Sequence, residues 1–284
     1  MSALTLNVDF HSHSTVSDGV LSPTELAARA KRNGVSVWAL TDHDELGGIP
    51  EARAAAAALD LRFISGVEIS ITWAGKTIHI VGLNIDENNP ELIEGLAKTR
   101  SGRERRARDM AIDLAERAGI PGVYEGALKY VGNPNLISRS HFARYLLEIG
   151  ACSSVSDAFK NYLTEGKPGY VPHRWASLEE AVSWIIGAGG VAVVAHPGRY
   201  DLTPLALDSF FRDFKAFGGV AIETVTGSHT VDQYDEYTKI ANKYDFLVSR
   251  GSDFHSPEDA EIDIGKLPPM PKASKPVWEA WFSA

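Results

Sequence analysis

The stretch Asp9-Phe10-His11-Ser12-His13 decides the interpretation of the fold, because it joins a strand pattern to two potential metal ligands. The residues before it, Leu4–Val8, alternate apolar and polar side chains and predict a β-strand. Residues two apart in a strand point the same way, so His11 and His13 can project together from its end. Two imidazoles on one side supply half of a metal site. One such pair is also typical of ordinary surface or capping histidines, so a metal site needs further ligands elsewhere in the chain.

The chain beyond this stretch alternates strands with helices. After the first strand, six more are predicted, over residues 35–40, 62–68, 76–83, 190–195, 219–224 and 246–249. Helices are predicted over residues 23–33, 49–59, 178–188, 204–217 and 231–244, and two of them begin with capping boxes. Seven strands separated mostly by helices indicate an α/β fold with a mainly parallel sheet. In parallel α/β barrels the functional groups lie at the carboxyl ends of the strands.

Potential metal ligands stand at or near the ends of six of the seven predicted strands, and only the strand that contains Glu223 has no obvious one. With Asp18 from the first loop, the candidate ligands are His11, His13, Asp18, His43, Glu68, His79, His196, Asp253 and His255. Alone, His79 in its apolar run would read as a core histidine. Together, nine such residues on one face of a barrel favour a metal centre, because unpaired buried charges are rarely tolerated.

The number and chemistry of these ligands bear on the metals. Nine exceed the needs of one ion, and with a bridging carboxylate they suit up to three divalent metals. Mixed imidazole and carboxylate donors allow Mn²⁺, which we favour, and also Fe²⁺ or Zn²⁺. The sequence does not choose among these three metals.

The middle of the chain has a different character. Residues 100–172 contain no predicted strand, and helices are predicted over 103–118, 124–130, 140–149 and 156–163. We therefore expect a small all-helical insertion over residues 100–172, a substrate cap that divides the barrel domain into residues 1–99 and 173–284.

Composition limits the class of protein. The chain has 284 residues and a formal net charge of -9. This charge argues against sequence-independent binding of long double-stranded nucleic acid. Its one cysteine, Cys152, excludes an internal disulfide and predicts a reducing compartment. We find no signal peptide pattern and no apolar run near the roughly 20 residues that span a bilayer. We expect a cytoplasmic protein without a membrane partner.

The motifs resemble those of the PHP (polymerase and histidinol phosphatase) family. The matching segments are Asp9–His13, Ser17–Gly19, Thr41–Asp44, Gly66–Glu68, His79, Val194–Pro197 and Gly251–His255. The resemblance covers residues 1 to about 85 and 175 to about 260. It implies a distorted (β/α)7 barrel with a trinuclear metal site and the activity of a metal-dependent phosphoric ester hydrolase.

The resemblance also implies how the ligands divide among three metals. One metal would be held by His11, His13, Glu68 and Asp253. A second would share Glu68 and take His79 and His196. The third would take Asp18, His43 and His255. Some members of the family have histidine where this chain has Asp18, and the aspartate would make the third site richer in oxygen.

The helical insertion and the segment Ser138-Arg139-Ser140-His141 make the resemblance specific to one branch of the family. They are similar to the branch with nucleoside 3′,5′-bisphosphate phosphatases and RNase AM-type 5′-to-3′ exoribonucleases. This implies hydrolysis of the 3′-phosphate of a nucleoside 3′,5′-bisphosphate, by a metal-bridging hydroxide, to a 5′-mononucleotide and phosphate. The alternatives are a 5′-to-3′ exoribonuclease on short 5′-phosphorylated RNA, an amidohydrolase-type hydrolase and a non-catalytic metal-binding module of a polymerase.

Arginine is the best bidentate binder of phosphate, which suggests the substrate contacts. Arg199 follows His196 by three residues and should lie near the metals. Candidates on the insertion are Arg103, Arg106, Ser138, Arg139, His141 and Lys167, although the charged run over 103–108 is also typical of a solvated helix face. His229 could protonate the leaving oxygen, with His173 as a weaker candidate. The predicted catalytic residues are Glu68, Asp253, His229 and Arg199, and the expected partner is a small nucleotide or short RNA bound by a monomer or small homo-oligomer.

Overall fold

The fold is a nearly closed barrel of seven strands in a computed structural model that describes residues 6–281. The strands are β1 (Val8–Asp9), β2 (Val37–Leu40), β3 (Arg62–Trp73), β4 (Lys76–Leu83), β5 (Val191–Val194), β6 (Ala221–Thr226) and β7 (Leu247–Gly251), and they neighbour one another in chain order. Three backbone hydrogen bonds close the barrel between its ends, from the Phe10 N–H to the Arg250 carbonyl at 3.0 Å, from the Asp253 N–H to the His11 carbonyl at 2.8 Å and from the His13 N–H to the Phe254 carbonyl at 2.9 Å. Residues 4 and 5 of the first predicted strand lie outside the described residues.

The sheet is mainly parallel, as predicted, since four of the six neighbouring strand pairs run parallel. The exception is β4, which runs antiparallel to both β3 and β5. A two-residue turn reverses the chain before it, with Ala74 at φ 47° and Gly75 at φ 77°. Two successive positive φ angles are typical of the tight turn of a hairpin. Strand β3 therefore continues well beyond Glu68, and Glu68 and His79 lie within long strands rather than at their ends.

Ten α-helices are described. They are α1 (Pro23–Arg32), α2 (Ile49–Ala58), α3 (Pro90–Arg100), α4 (Arg103–Ala118), α5 (Val123–Leu128), α6 (Arg139–Glu148), α7 (Val155–Ala158), α8 (Leu178–Gly187), α9 (Pro204–Ala216) and α10 (Val231–Tyr244). Helix α3 was not predicted, although Asn89 caps it by accepting the Leu92 N–H at 3.0 Å and Pro90 occupies its first turn. No helix within residues 6–281 is both long and apolar enough to cross a bilayer.

Helices α4 to α7 pack around an apolar cluster of their own, which includes Met110, Leu114, Phe142 and Leu146. The main cluster lies between the strands and the helices of the α/β part and contains Phe10, Ile80 and Trp278. The helical character of the middle of the chain is thus as predicted. The division into two domains, at residues 99/100 and 172/173, stays a prediction.

The substitution Ser177→Ala is expected to lower the free energy of unfolding by about 1 kcal/mol, the usual cost of losing an N-cap side chain. Ser177 accepts the Glu180 N–H at 3.2 Å, and Glu180 accepts the Ser177 N–H at 2.8 Å, which completes the predicted capping box of α8. Urea unfolding measures the change. Ser183→Ala, on an exposed position of the same helix, is the control and should leave stability unchanged or slightly higher. Equal midpoints for all three proteins would contradict the prediction.

Candidate metal centre

The nine predicted ligands converge at one end of the barrel. Ligand atoms of eight of them form three groups, and within each group the atoms lie within 4.8 Å of one another. The groups are His11, His13, Glu68 and Asp253; His13, Asp18, His43 and His255; and His43, Glu68 and His79. The first matches a ligand set implied by the family resemblance, and the second contains another together with His13. The third differs, since His43 takes the place expected for His196.

Glu68 is the centre of this arrangement. It is fully buried, and nitrogen atoms of five histidines lie 2.9–3.2 Å from its two carboxylate oxygens: His11, His13, His43, His79 and His196. His196 therefore lies beside Glu68, with its Nε2 3.1 Å from Oε1. Burial alone would raise the pKa of Glu68, but the charges of the surrounding imidazoles hold it well below its usual range. The carboxylate is thus ionised and placed to be shared between neighbouring cations.

The buried polar atoms of this centre fit divalent metals. Eight of them have no hydrogen-bond partner among the described residues: His11 Nε2, His13 Nδ1 and Nε2, Asp18 Oδ1, His43 Nδ1, Glu68 Oε2, His79 Nδ1 and His196 Nδ1. Such atoms are costly to bury unless something binds them. Separations near 3 Å between donors are those of ligands about 2.1 Å from a shared ion. The donor set of imidazole and carboxylate, without thiolate, is suited to a first-row divalent metal.

Two of the proposed ligands have strained backbones. His196 has φ 29° and ψ 57°, and Asp253 has φ 56°. Non-glycine residues seldom adopt positive φ, and where they do the surrounding structure has to hold them there. Each lies two residues beyond the end of a strand, β5 for His196 and β7 for Asp253, so the unusual backbone turns these side chains toward the centre just after the strands end.

Glu223 is a functional residue that sequence analysis missed. The strand that contains it was noted for lacking an obvious ligand, yet its buried carboxylate lies 2.7 Å from His11 Nδ1 and accepts the His196 N–H at 2.7 Å. By accepting the Nδ1 proton, Glu223 leaves His11 Nε2 free as a ligand atom. A glutamate inside the apolar strand was the only signal in the sequence.

The substitution Glu223→Gln is expected to weaken metal binding about 10- to 100-fold, the usual cost of losing an outer partner of a ligating histidine. The amide cannot accept hydrogen bonds on both of its polar atoms, so either His11 or the His196 backbone loses its partner. Titration of metal-free protein with Mn²⁺ measures the affinity. Glu236→Gln, on an exposed position of α10, is the control. An unchanged affinity in Glu223→Gln would show that the carboxylate does not orient His11.

A cavity of about 730 Å³ opens beside the metal centre. Helices α4 and α6 and the start of α7 contribute to its walls, together with the ends of the barrel strands. Of the residues predicted to contact substrate, five line it: Arg103, Arg106, Ser138, Arg139 and Arg199. Sequence analysis missed Arg144, Phe159 and Trp175, which also line the cavity and whose type and spacing gave no signal.

The arginines of the cavity differ in their partners. Arg103 is buried, forms an ion pair with the buried Asp44 and lies over the Trp175 ring at 4.7 Å. Its charge is thus already paired with a carboxylate, and its contact with a phosphate stays a prediction. Arg106 and Arg139 have no carboxylate within ion-pair distance among residues 6–281 and donate only to the carbonyls of Val171 and Leu163. Burial, followed by the charges of Arg139 and Arg103, lowers the pKa of Arg106 to about 9.

Arg199 lies at the edge of the metal centre, as predicted. Its guanidinium donates to Asp253 Oδ2 at 2.7 Å, and about half of its side chain is exposed, 51%. This contact places a cation next to one of the proposed ligands. The remaining N–H groups are available to a phosphate oxygen at the cavity mouth.

The structure gives the other predicted contacts different roles. The His229 ring accepts the Gly198 N–H at 2.9 Å and donates to the Thr224 carbonyl at 3.1 Å, so it holds the turn after His196 and has no free proton for a leaving group. His141 is fully buried and accepts the Ser138 N–H at 2.9 Å as part of the α6 cap. Lys167 is exposed and does not line the cavity. His173 packs against Trp175, with ring centroids 4.1 Å apart.

A seven-stranded α/β barrel with buried imidazoles and carboxylates converging at its mouth defines a class of barrel hydrolases that work with divalent metals. The PHP domain family model matches residues 9–248, and the chain belongs to this family. Asp253 and His255 lie beyond the matched segment, yet the structure brings them to the other ligands.

Three known proteins are similar over nearly the whole chain. A 3′,5′-nucleoside bisphosphate phosphatase from Chromobacterium violaceum is 48% identical over 96% of this chain and 95% of its own. A 5′-3′ exoribonuclease from Haemophilus influenzae is 44% identical over 97% of this chain and 99% of its own. A solved structure of an amidohydrolase from Chromobacterium violaceum, with bound sulfate and no metal, has a TM-score of 0.94 and 47% identity over 96% of this chain and 95% of that one. The family and these relatives make the chain a phosphoric ester hydrolase.

Proposed function

We propose that this protein hydrolyses the 3′-phosphate of nucleoside 3′,5′-bisphosphates to a 5′-mononucleotide and phosphate. The observation that carries the proposal is the set of residues that line one cavity. It joins the three groups of metal ligands to two arginines, Arg106 and Arg139, that lack carboxylate partners among the described residues. A substrate with two phosphates could place one at the metals and the other at the arginines. The activity of the relative from Chromobacterium violaceum supports the same assignment.

Arg106 and Arg139 bind the phosphate that does not react. Arg106 lies over the Trp175 ring at 5.4 Å and Arg139 over the Phe159 ring at 5.6 Å, so both guanidinium groups are held in place by aromatic side chains. Each uses one N–H group on a backbone carbonyl and keeps others for a ligand. Two unneutralised cations in a partly buried cavity attract a dianion, and arginine binds phosphate in bidentate fashion.

The nine candidate ligands, eight of which form the three groups, would hold up to three divalent metals, and their imidazole and carboxylate donors suit Mn²⁺, which we favour, as well as Fe²⁺ or Zn²⁺. When bound, such metals lower the pKa of a water nucleophile and neutralise phosphate oxygens. Glu68 and Asp253 position these cations from the barrel side. Arg199, held by Asp253, orients the reacting phosphate at the cavity mouth.

A 5′-to-3′ exoribonuclease on short 5′-phosphorylated RNA is the second candidate. The relative from Haemophilus influenzae supports it, and a cavity of about 730 Å³ lies in the upper part of the range for small-ligand sites. One wall of this cavity carries the acidic residues Glu258, Asp259 and Glu261, which repel additional phosphates. This wall and the net charge of -9 favour a short substrate over a long polymer.

Amide hydrolysis is the third candidate. A barrel amidohydrolase would be expected to carry a lysine that bridges its metals, and among residues 6–281 no lysine lines the cavity. We further propose that the protein acts in the cytoplasm, as a monomer or small homo-oligomer, on free nucleotides or short RNA.

Phosphate release tests the proposed function. Manganese-loaded enzyme is given adenosine 3′,5′-bisphosphate, AMP and a 5′-phosphorylated RNA trinucleotide in parallel. Fast phosphate release from the bisphosphate, with AMP left intact, is the expected result. Stepwise release of 5′-mononucleotides from the RNA with poor turnover of the bisphosphate would make the exoribonuclease the main function. No turnover of any of the three by enzyme with confirmed metal would overturn the substrate assignment.

A further inference from the structure

We propose that Ser138 and Arg144 of helix α6 are positioning residues for Asp18, and that they control the retention of one of the three metals. The inference rests on the metal assignment made for the proposed function. It concerns the group formed by His13, Asp18, His43 and His255, and it makes this group dependent on the helical middle of the chain.

The two carboxylate oxygens of Asp18 have separate tasks. Oδ1 faces the histidines, at 3.3 Å from His255 Nε2 and 3.9 Å from both His43 Nε2 and His13 Nδ1. This oxygen is buried and has no hydrogen-bond partner among the described residues. Oδ2 accepts a hydrogen bond from the Ser138 hydroxyl at 3.0 Å. The hydroxyl therefore fixes the carboxylate in the orientation that presents Oδ1 to a metal.

Arg144 holds the backbone of the same loop. Its guanidinium donates to the carbonyl of Asp18 and, at 3.5 Å, to the carbonyl of Gly19. The barrel holds the loop from the other side, because the buried carboxylate of Asp42 accepts hydrogen bonds from the Ser14 N–H at 2.8 Å and the Ser17 hydroxyl at 2.6 Å. Asp18 thus lies between a fixed barrel residue and one helix of the middle segment.

The serine is itself held rigidly. Its hydroxyl accepts the Ser140 N–H at 3.2 Å as the N-cap of α6, and its own N–H donates to His141 Nδ1 at 2.9 Å. Helix α6 is ten residues long and packs Phe142 and Leu146 into the apolar cluster of helices α4 to α7. A shift of this cluster would therefore move Ser138 and Arg144 together. The first group of ligands, His11, His13, Glu68 and Asp253, comes entirely from the barrel and has no such dependence.

The experiment compares metal content and metal affinity in full-length variants. The double substitution Ser138→Ala with Arg144→Met is expected to lower the affinity of one metal about 10- to 100-fold, as loss of outer partners does, and to leave the others unchanged. At a fixed free Mn²⁺ concentration, elemental analysis should find one equivalent less than in the unsubstituted protein. Two single variants at Ser138 are compared as well. Ser138→Ala should lose metal, whereas Ser138→Thr, which keeps the hydroxyl, should retain it. Arg117→Met is the control, because Arg117 is on α4 and its ion pair is with Asp113 of the same helix.

The outcomes distinguish a failure of the trinuclear metal assignment from a failure of the positioning role of Ser138 and Arg144. Fewer than three equivalents in the unsubstituted protein at saturation would overturn the trinuclear assignment itself. Three equivalents in both proteins with equal affinities would overturn the positioning role and leave the proposed function intact. Equal weakening of all metals would also overturn it, since a general loss of structure would have that effect. The thermal midpoints of the metal-free proteins identify that case.

Discussion

Replacing Glu68 with glutamine is expected to lower phosphate release by more than the roughly 10- to 100-fold that loss of an outer partner costs. Glu68 is the residue that the most histidines approach, with five imidazoles around its two oxygens. The amide keeps the shape of the side chain but removes its negative charge and one of its two acceptor oxygens. Two metals would then lose a shared ligand at once.

Metal analysis and phosphate release together check this expectation. Glu68→Gln should bind fewer equivalents of Mn²⁺ than the unsubstituted protein and should stay inactive when excess Mn²⁺ is added. Glu94→Gln, on an exposed position of α3, is the matched control and should behave like the unsubstituted protein. Full metal content with full activity in Glu68→Gln would show that the centre does not depend on a bridging carboxylate.

Removing both guanidinium groups that lack carboxylate partners is the second large change. Arg106→Met with Arg139→Met is expected to lower kcat/KM for the bisphosphate by roughly 100-fold or more, because each charge-assisted hydrogen bond contributes about 1.5–3 kcal/mol. Stability should not fall, since burial and mutual repulsion already disfavour these charges. The pKa of Arg139 is lowered chiefly by its burial, as the pKa of Arg106 is.

A substrate without a second phosphate makes this test specific. For a simple aryl monophosphate, the double variant and the unsubstituted protein should have the same kcat/KM, because neither can use the arginines on it. Arg105→Met, an exposed neighbour on α4, is the control. An equal loss on both substrates would mean that the arginines support the metal centre rather than bind a second phosphate.

The convergence of the candidate ligands could be predicted because most of them lie in a short motif next to a strand, and their role as ligands stays a prediction. His11 and His13 follow a strand pattern directly, and Asp253 and His255 follow another. A strand pattern and the preference of metals for imidazole and carboxylate groups are both local properties, so convergence at one end of a barrel could be predicted. The helical character of residues 103–163 was predictable for the same reason.

The partners of the remaining residues could not be predicted, because they are far apart in the chain. Arg103 forms its ion pair with Asp44, and the ring of His229 bonds to the backbone of Gly198. No periodic pattern in the sequence predicts either contact. The reversal of β4 was also missed, since the hairpin turn at Ala74-Gly75 lacks the usual Asn-Gly or Asp-Gly signal. Glu223 was set aside because a buried outer partner has no motif of its own.

The closing of the barrel between Phe10 and Arg250 has a consequence for when metals can be loaded during synthesis of the chain. His11 and His13 are synthesised long before Asp253 and His255, and all four are needed to complete the two groups that contain His13. A growing chain that ends before residue 253 has His11 and His13 beside Glu68 but lacks Asp253 and His255. Loading of the full set of metals therefore has to follow synthesis of β7 and of the residues up to His255, and metal present before then would meet an incomplete centre.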